Sequence, residues 1–178
     1  TGERSYERLE TVQAYINAEP RFSFLYLLSP YNSIKASYSR MVQNTHLISS
    51  GTVPLPFNTW SPSGFYLKPQ TSDQYSIGFF QNTHKHDYEF SVETFYKDMN
   101  NVTDFADNAS IFFNQDLSTE FRQGKSWAYG VEFSAQKKEG RVTGFLNYTY
   151  SRVMRKVPGV NGGMAFPANY DRRNSFTA

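Results

Sequence analysis

Residues 88–97 read YEFSVETFYK, and apolar and polar side chains alternate through most of this stretch. A period of two predicts a β-strand with one apolar and one polar face. The pattern recurs at 33–43, 74–79, 127–136 and 142–151, where Phe145 is an exception. With a further strand at 21–28 and the start of another at Tyr170, the sequence predicts an all-β fold of roughly seven antiparallel strands, each near the length that crosses a bilayer with tilt.

The composition narrows the class of protein. Of 178 residues, 18 are Lys or Arg and 16 are Asp or Glu, so the net charge of +2 gives no reason to expect a nucleic-acid partner. The chain has no cysteine, which excludes disulfides, thiolate metal sites and cysteine nucleophiles. Its apolar runs are far shorter than the roughly 20 residues of a membrane-spanning helix. Aromatic residues nevertheless make up 17% of the chain, and the composition does not exclude membrane-spanning β-strands.

The links between the predicted strands alternate in length. Short turns are expected at 29–32, 81–87 and 138–140, and long links at 46–69, 100–123 and 152–169. Outer-membrane barrels have short periplasmic turns and long extracellular loops, so their links must alternate in this way. The ring-rich ends of the apolar faces, where a bilayer places aromatic girdles, favour the same class. These rings are Tyr38, Tyr75, Tyr88, Tyr96, Trp127, Tyr148 and Tyr150.

Charged residues occupy the opposite face of the same strands. Lys35, Glu89, Glu93, Lys97 and Glu132 are expected to face a water-filled or plugged lumen, since a dry core would not tolerate them. Paired carboxylates can perform acid–base chemistry, but a lumen wall carries such charges without catalysis, and we favour that interpretation. No nucleophile elbow and no glycine-rich phosphate loop is present. We therefore predict no enzyme, no catalytic residue and no cofactor.

Two further groups could bind ligands. Trp60, Phe65 and Tyr66 lie in a proline-rich long link, where the rings would either stack on a ligand, such as a sugar or an aromatic siderophore, or pack within a folded loop. The His84-Lys85-His86 stretch is interpreted as a solvated turn rather than a metal site, because Lys85 adds a positive charge. His46, at the start of a long link, is expected at the surface.

Several stretches are also familiar as sequence, and in this order and spacing the chain resembles the C-terminal part of the β-barrel of TonB-dependent outer-membrane receptors, particularly the large forms of Bacteroidetes. They include 32–40 (NSIKASYSR), 68–70 (KPQ), 95–97 (FYK), 128–130 (AYG), 148–151 (YTYS) and 170–173 (YDRR). Residues 1–178 are then expected to be a single segment of the barrel domain, with the plug domain before it and the closing strands after it.

The resemblance implies a 22-stranded barrel in the Gram-negative outer membrane that is closed by its own N-terminal plug. It implies energised uptake of an extracellular nutrient of the siderophore, glycan or peptide class. The partners it implies are the outer-membrane lipid bilayer, the plug, the TonB complex acting through the plug and, in the Bacteroidetes forms, a surface lipoprotein. The alternatives are a soluble all-β carbohydrate-binding module, a passive porin or adhesin barrel, and a small eight-stranded barrel.

Overall fold

The structure, a computed structural model, describes residues 13–48, 59–83, 87–107 and 120–178. The strands are β1 (Arg21–Ser29), β2 (Asn32–Gln43), β3 (Thr45–Ile48), β4 (Thr59–Pro62), β5 (Gln70–Asn82), β6 (Tyr88–Phe105), β7 (Phe121–Lys137), β8 (Gly144–Lys156), β9 (Phe166–Pro167) and β10 (Asn174–Thr177). Most of them form one antiparallel sheet in the order β1-β2-β5-β6-β7-β8-β10; short β9 pairs with β8, and β3 and β4 form a separate hairpin.

The register explains the alternation in the sequence. Tyr38, Tyr75, Tyr96 and Tyr129 are direct neighbours on four adjacent strands, and the first two rings lie 5.1 Å apart. We call the side of the sheet that carries this tyrosine row the apolar face and the other side the polar face. All the rings predicted at strand ends share the apolar face, because cross-strand partners and every second residue lie on the same side.

Large apolar side chains on the apolar face are exposed. Ile77 is 53% exposed and Phe22, the cross-strand partner of Tyr38, is 68% exposed, so within the described residues no second layer covers this face. A soluble sandwich would bury such a face against another sheet. The sheet is thus the wall of a structure whose apolar side requires an apolar surrounding.

The predicted alternation of short and long links is confirmed. The strand ends joined by the links β1–β2, β5–β6 and β7–β8 lie at one edge of the sheet, here called the lower edge, while the strand ends joined by the longer links lie at the opposite, upper edge. At the first short turn, Ser29 Oγ accepts hydrogen bonds from the backbone N–H groups of Tyr31 and Asn32. This side chain satisfies donors that a two-residue link leaves outside the ladder.

Some strand limits differ from the sequence prediction. The expected 100–123 link is shorter, because β6 continues to Phe105 and β7 begins at Phe121. A β-bulge at Asn101, whose φ is 58°, lets the two strands stay paired although the alternation shifts there. β8 likewise continues to Lys156, and the last strand begins at Asn174 instead of Tyr170.

A small packed cluster lies at the upper end of the polar face. Met99, Val102 and Ala128 of β6 and β7 are covered by Val157 and Val160 from the segment after β8, and both valines are fully buried. No helix among the described residues is long and apolar enough to cross a membrane.

Candidate functional site

The five charged residues predicted for the lumen share the polar face. Lys35, Gly78, Glu93 and Glu132 form one register row across β2, β5, β6 and β7, while Glu89 and Lys97 lie on the same side of β6. The Glu93 carboxylate extends over Gly78, where an added Cβ would lie 3.1 Å from Glu93 Oε2. The structure thus brings opposite charges from non-adjacent strands toward one stretch of the polar face.

Glu93 and Glu132 are direct cross-strand partners, and neither forms an ion pair among the described residues. Like charges opposite each other repel, so this part of the polar face favours cationic or hydrogen-bonding groups. Glu89 differs, because it pairs with Lys138 near the lower edge.

A cavity of about 410 Å³ opens on the polar face near the lower edge. Its wall includes Lys35, Glu89, Ser33, Phe80 and Gln136. The mixture of charges, hydroxyl and amide groups with two rings, those of Phe80 and Phe90, suits contact with a polar surface more than a buried small molecule.

The aromatic residues predicted for ligand contact lie at the upper edge. Trp60 is in β4 opposite Leu47, and Phe65 and Tyr66 follow in the link to β5, where their rings meet edge to face at 5.2 Å. Trp60 is 63%, Phe65 59% and Tyr66 73% exposed. Phe65 and Tyr66 therefore form an exposed pair of rings, and Trp60 is a further exposed ring in the same β2–β5 link.

The expectation that His46 lies at the surface is wrong. It is 2% exposed, and its Nε2 lies 3.0 Å from Ser63 Oγ. Burial lowers the pKa of His46, and a hydrogen bond to the backbone of Lys68 opposes that shift. The imidazole is buried because the β3–β4 hairpin and the link after it fold over it, which depends on contacts between distant residues.

The segment after β8 folds back across the polar face of the β6–β7 hairpin. Asp104 of β6 is fully buried and forms an ion pair with Arg155 of β8, whose Nη1 lies 3.1 Å from its Oδ2. Arg155 also donates to the carbonyl of Thr103. Farther along, the N–H of Asp107 donates to the carbonyl of Gly159. These contacts fix the return segment 157–163 at the upper edge.

The sequence pattern did not predict this buried ion pair. Residues 100–107 read NNVTDFAD, so Asp104 has polar neighbours and no surrounding apolar run that would indicate a buried charge. The sequence does not identify the partner of Asp104, because Arg155 is 51 residues away and lies in the predicted 152–169 link.

No group of three or more His, Asp or Glu side chains in the described part of the chain could hold a metal ion. His84-Lys85-His86 lies outside the described residues, so its interpretation as a solvated turn stays a prediction.

An antiparallel sheet with an apolar, tyrosine-bordered face, a charged opposite face and alternating links is the wall of an outer-membrane type of β-barrel. The sheet is not closed within the described residues. A family model described as "TonB dependent receptor-like, beta-barrel" matches residues 7–177. The chain therefore belongs to this family, and the predicted resemblance to the β-barrel of TonB-dependent receptors is confirmed, while the resemblance to the Bacteroidetes forms stays a prediction. No curated protein and no solved structure matches it.

Proposed function

We propose that the chain is part of an outer-membrane receptor that takes up an extracellular nutrient through a plugged β-barrel, with energy supplied by the TonB complex. Family membership across residues 7–177 carries this proposal. The two-faced sheet supports it, because the apolar face suits lipid and the row containing Lys35, Glu93 and Glu132 suits a wet, plug-filled lumen. The mechanism is ligand capture followed by plug movement, with no bond made or broken.

In this proposal the lumen residues have a binding role. Glu93 and Glu132 offer adjacent carboxylates, Lys35 and Lys97 offer ammonium groups, and Glu89 lies nearer the lower edge. Such charges bind polar plug side chains in a watery lumen without the desolvation cost of a dry core. The N-terminal plug of the full-length receptor is the proposed partner of this surface.

The proposal is tested with deletion strains. Removal of the receptor gene and removal of TonB should abolish growth on the same scarce nutrient, in a panel of ferric siderophores, haem, oligosaccharides and peptides. Loss of growth in the receptor mutant alone, with the TonB mutant growing normally, would contradict energised uptake. A steady conductance of the purified receptor in planar bilayers would instead indicate a passive channel.

Ligand capture is proposed for Trp60, Phe65 and Tyr66, whose rings are exposed at the upper edge. Stacking on a sugar or an aromatic siderophore uses the faces of such rings. Replacement of all three by Ala should weaken ligand binding by full-length receptor about tenfold or more, as expected for losing several stacking contacts. Tyr170→Ala is the control, because Tyr170 is 63% exposed and lies in the link before β10, at the other end of the strand order from the β2–β5 link that contains β4. Unchanged affinity in the triple variant would exclude these rings as the capture surface.

The resemblance to Bacteroidetes receptors extends the proposal to a surface lipoprotein that would cover the long loops. Co-purification of such a lipoprotein with tagged full-length receptor is the corresponding test.

A further inference from the structure

The apolar face carries an unbalanced group of basic residues at its upper end. Lys125 of β7 and Lys156 of β8 are direct cross-strand partners. Arg152 lies lower on β8, on the same face, opposite Tyr129. Like charges placed directly opposite each other destabilise a sheet, so their juxtaposition requires a compensating anion or a solvent-exposed position.

No acidic side chain in the described part of the chain compensates these charges. Asp98, the nearest acidic residue by register, is opposite Trp127 and forms no ion pair with either lysine. The Nε atom of Arg152 is buried without a hydrogen-bond partner. On β2 and β5, farther along the sheet, charges of opposite sign are paired, since Arg40 of β2 lies 3.7 Å from Asp73 of β5. The excess of positive charge is therefore confined to β7 and β8.

A cavity of about 580 Å³ lies beside the two lysines. Asn100, Gln123, Trp127 and Pro158 also form its wall. The bulge at Asn101 interrupts the ladder next to Lys125, and a bulge increases the local twist and bends the strand. The result is an amphipathic recess with amide and ammonium donors above an indole ring.

The height of the recess on the sheet identifies its surroundings. From Ala135 to Trp127 the apolar-face positions of β7 are Ala, Phe, Val, Tyr and Trp, a span of about 27 Å along the strand. Because the strands are tilted, this span covers a somewhat smaller height across the membrane, which is comparable to the apolar band of about 25 Å in outer-membrane barrels. Lys125 follows at once, so the ammonium groups lie where lipid headgroups begin.

We propose that Lys125 and Lys156, with Arg152 below them, bind the phosphate group of an outer-leaflet glycolipid. This inference rests on the proposed location of the barrel in the outer membrane. The two ammonium groups bind the phosphate oxygens by charge-assisted hydrogen bonds, while Trp127 and Tyr129 contact the upper part of the acyl chains. Lipid binding relieves the repulsion between the two lysines, so the lipid stabilises this end of the β7–β8 pair.

The test uses delipidated full-length receptor and native mass spectrometry with diphosphorylated lipid A, its dephosphorylated form and inorganic phosphate as probes. Lys125→Gln/Lys156→Gln should weaken binding of diphosphorylated lipid A about tenfold or more, because two charge-assisted bonds are lost. Lys125→Arg/Lys156→Arg should retain binding.

The control variant is Lys137→Gln/Arg141→Gln, which removes two positive charges near the lower end of β7 and should leave the affinity within about twofold of wild type. Equal affinity in the Lys125→Gln/Lys156→Gln variant and wild type would overturn the proposal, as would an equal loss in the control. Equal binding of dephosphorylated lipid A would show that the phosphate is not recognised. Displacement by millimolar inorganic phosphate would indicate a free-phosphate site and exclude the lipid.

Folding is checked by the mobility shift of unheated samples on SDS gels, which folded barrels show. If the double variant loses that shift, the single variants Lys125→Gln and Lys156→Gln replace it, each with an expected loss of about threefold or more. A wild-type receptor that shows no shift and fractionates as a soluble protein would contradict the proposed function itself. A shifted, membrane-bound receptor with unaltered lipid binding in the variants would contradict only the lipid site.

Discussion

Gly124 of β7 lies where the chain leaves no room for a side chain. A Cβ atom there would lie 2.6 Å from Val157 Cα and would also meet the carbonyl oxygen of Lys156. Both are backbone atoms, so neither can rotate away. This close approach lets the return segment after β8 pack against the polar face.

We expect Gly124→Ala to destabilise the full-length receptor by about 1–3 kcal/mol, since overpacking displaces the backbone. The midpoint temperature at which the folded gel band converts to the unfolded band measures the effect. Gly144→Ala is the matched control, because nothing lies within 4 Å of a Cβ at Gly144. Equal midpoints for the two variants would contradict the packing described here.

His46 makes the β3–β4 hairpin sensitive to pH. Its pKa is lowered in the folded hairpin, so the opened hairpin binds more protons below the ordinary histidine pKa of about 6.5. Stability is complete above that pH and falls as the pH decreases toward the folded pKa, by at most about 1.4 kcal/mol per pH unit for one proton.

We therefore expect hydrogen exchange in Thr45–Ile48 and Thr59–Pro62 to accelerate between pH 7.5 and pH 5 after correction for the intrinsic exchange rate. His46→Gln should remove this pH dependence, while it retains a polar group near Ser63. An unchanged pH dependence in that variant would assign the effect to another group.

At the scale of the elements, the buried Asp104–Arg155 pair joins β6 to β8 beneath the return segment. Removal of one partner leaves the other charge buried without compensation, at a cost of about 3–5 kcal/mol. We expect Asp104→Asn to release the segment and to increase its cleavage by protease in the full-length receptor.

Arg173→Gln is the control, since its ion pair with Asp171 is long at 3.8 Å and Arg173 is 56% exposed. Exposed pairs contribute about 0–1 kcal/mol, so this variant should be cleaved like wild type. Asp104→Asn/Arg155→Gln should be less susceptible than Asp104→Asn alone. If the double variant is cleaved faster than Asp104→Asn, an uncompensated buried charge is not the cause of the increased cleavage.

The sequence alone predicted the elements where a strict period of two persists. The strand prediction for 127–136 lies inside observed β7, and the five charged residues share one face, although the prediction that this face meets a lumen or plug stays a prediction. Prediction failed where the alternation shifts. Asn101 adds one residue to β6, and the residues after it were expected in a link although they stay paired with β7 as far as Phe105.

The site could be predicted less completely than the strands. A face follows from local periodicity, but the burial of His46 and the Asp104–Arg155 pair depend on segments that meet across many residues. Local patterns do not encode which loop covers which strand. For the same reason, the sequence suggests Trp60, Phe65 and Tyr66 as ligand-contacting residues, but only the structure shows that all three are exposed.

At the scale of the whole molecule, the two faces of the sheet must meet different surroundings. Val131 and Phe133 lie on the apolar face, while Glu132 and Ser134 lie between them on the polar face. In a membrane barrel, lipid contacts the first pair and lumen water the second. In a soluble sandwich, no lipid would contact either pair, because the apolar face would be buried against another sheet.

Each of the four positions is replaced by Cys, one at a time, in otherwise cysteine-free full-length receptor and labelled with a small fluorophore before reconstitution. Nitroxide lipids should quench the label at 131 and 133 about tenfold more efficiently than at 132 and 134, because quenching requires contact within the apolar band. Iodide should show the reverse preference, since it stays in water. Uniform quenching along 131–134 would contradict the assignment of two different faces. Stronger quenching by nitroxide lipids at 132 and 134 than at 131 and 133 would reverse that assignment.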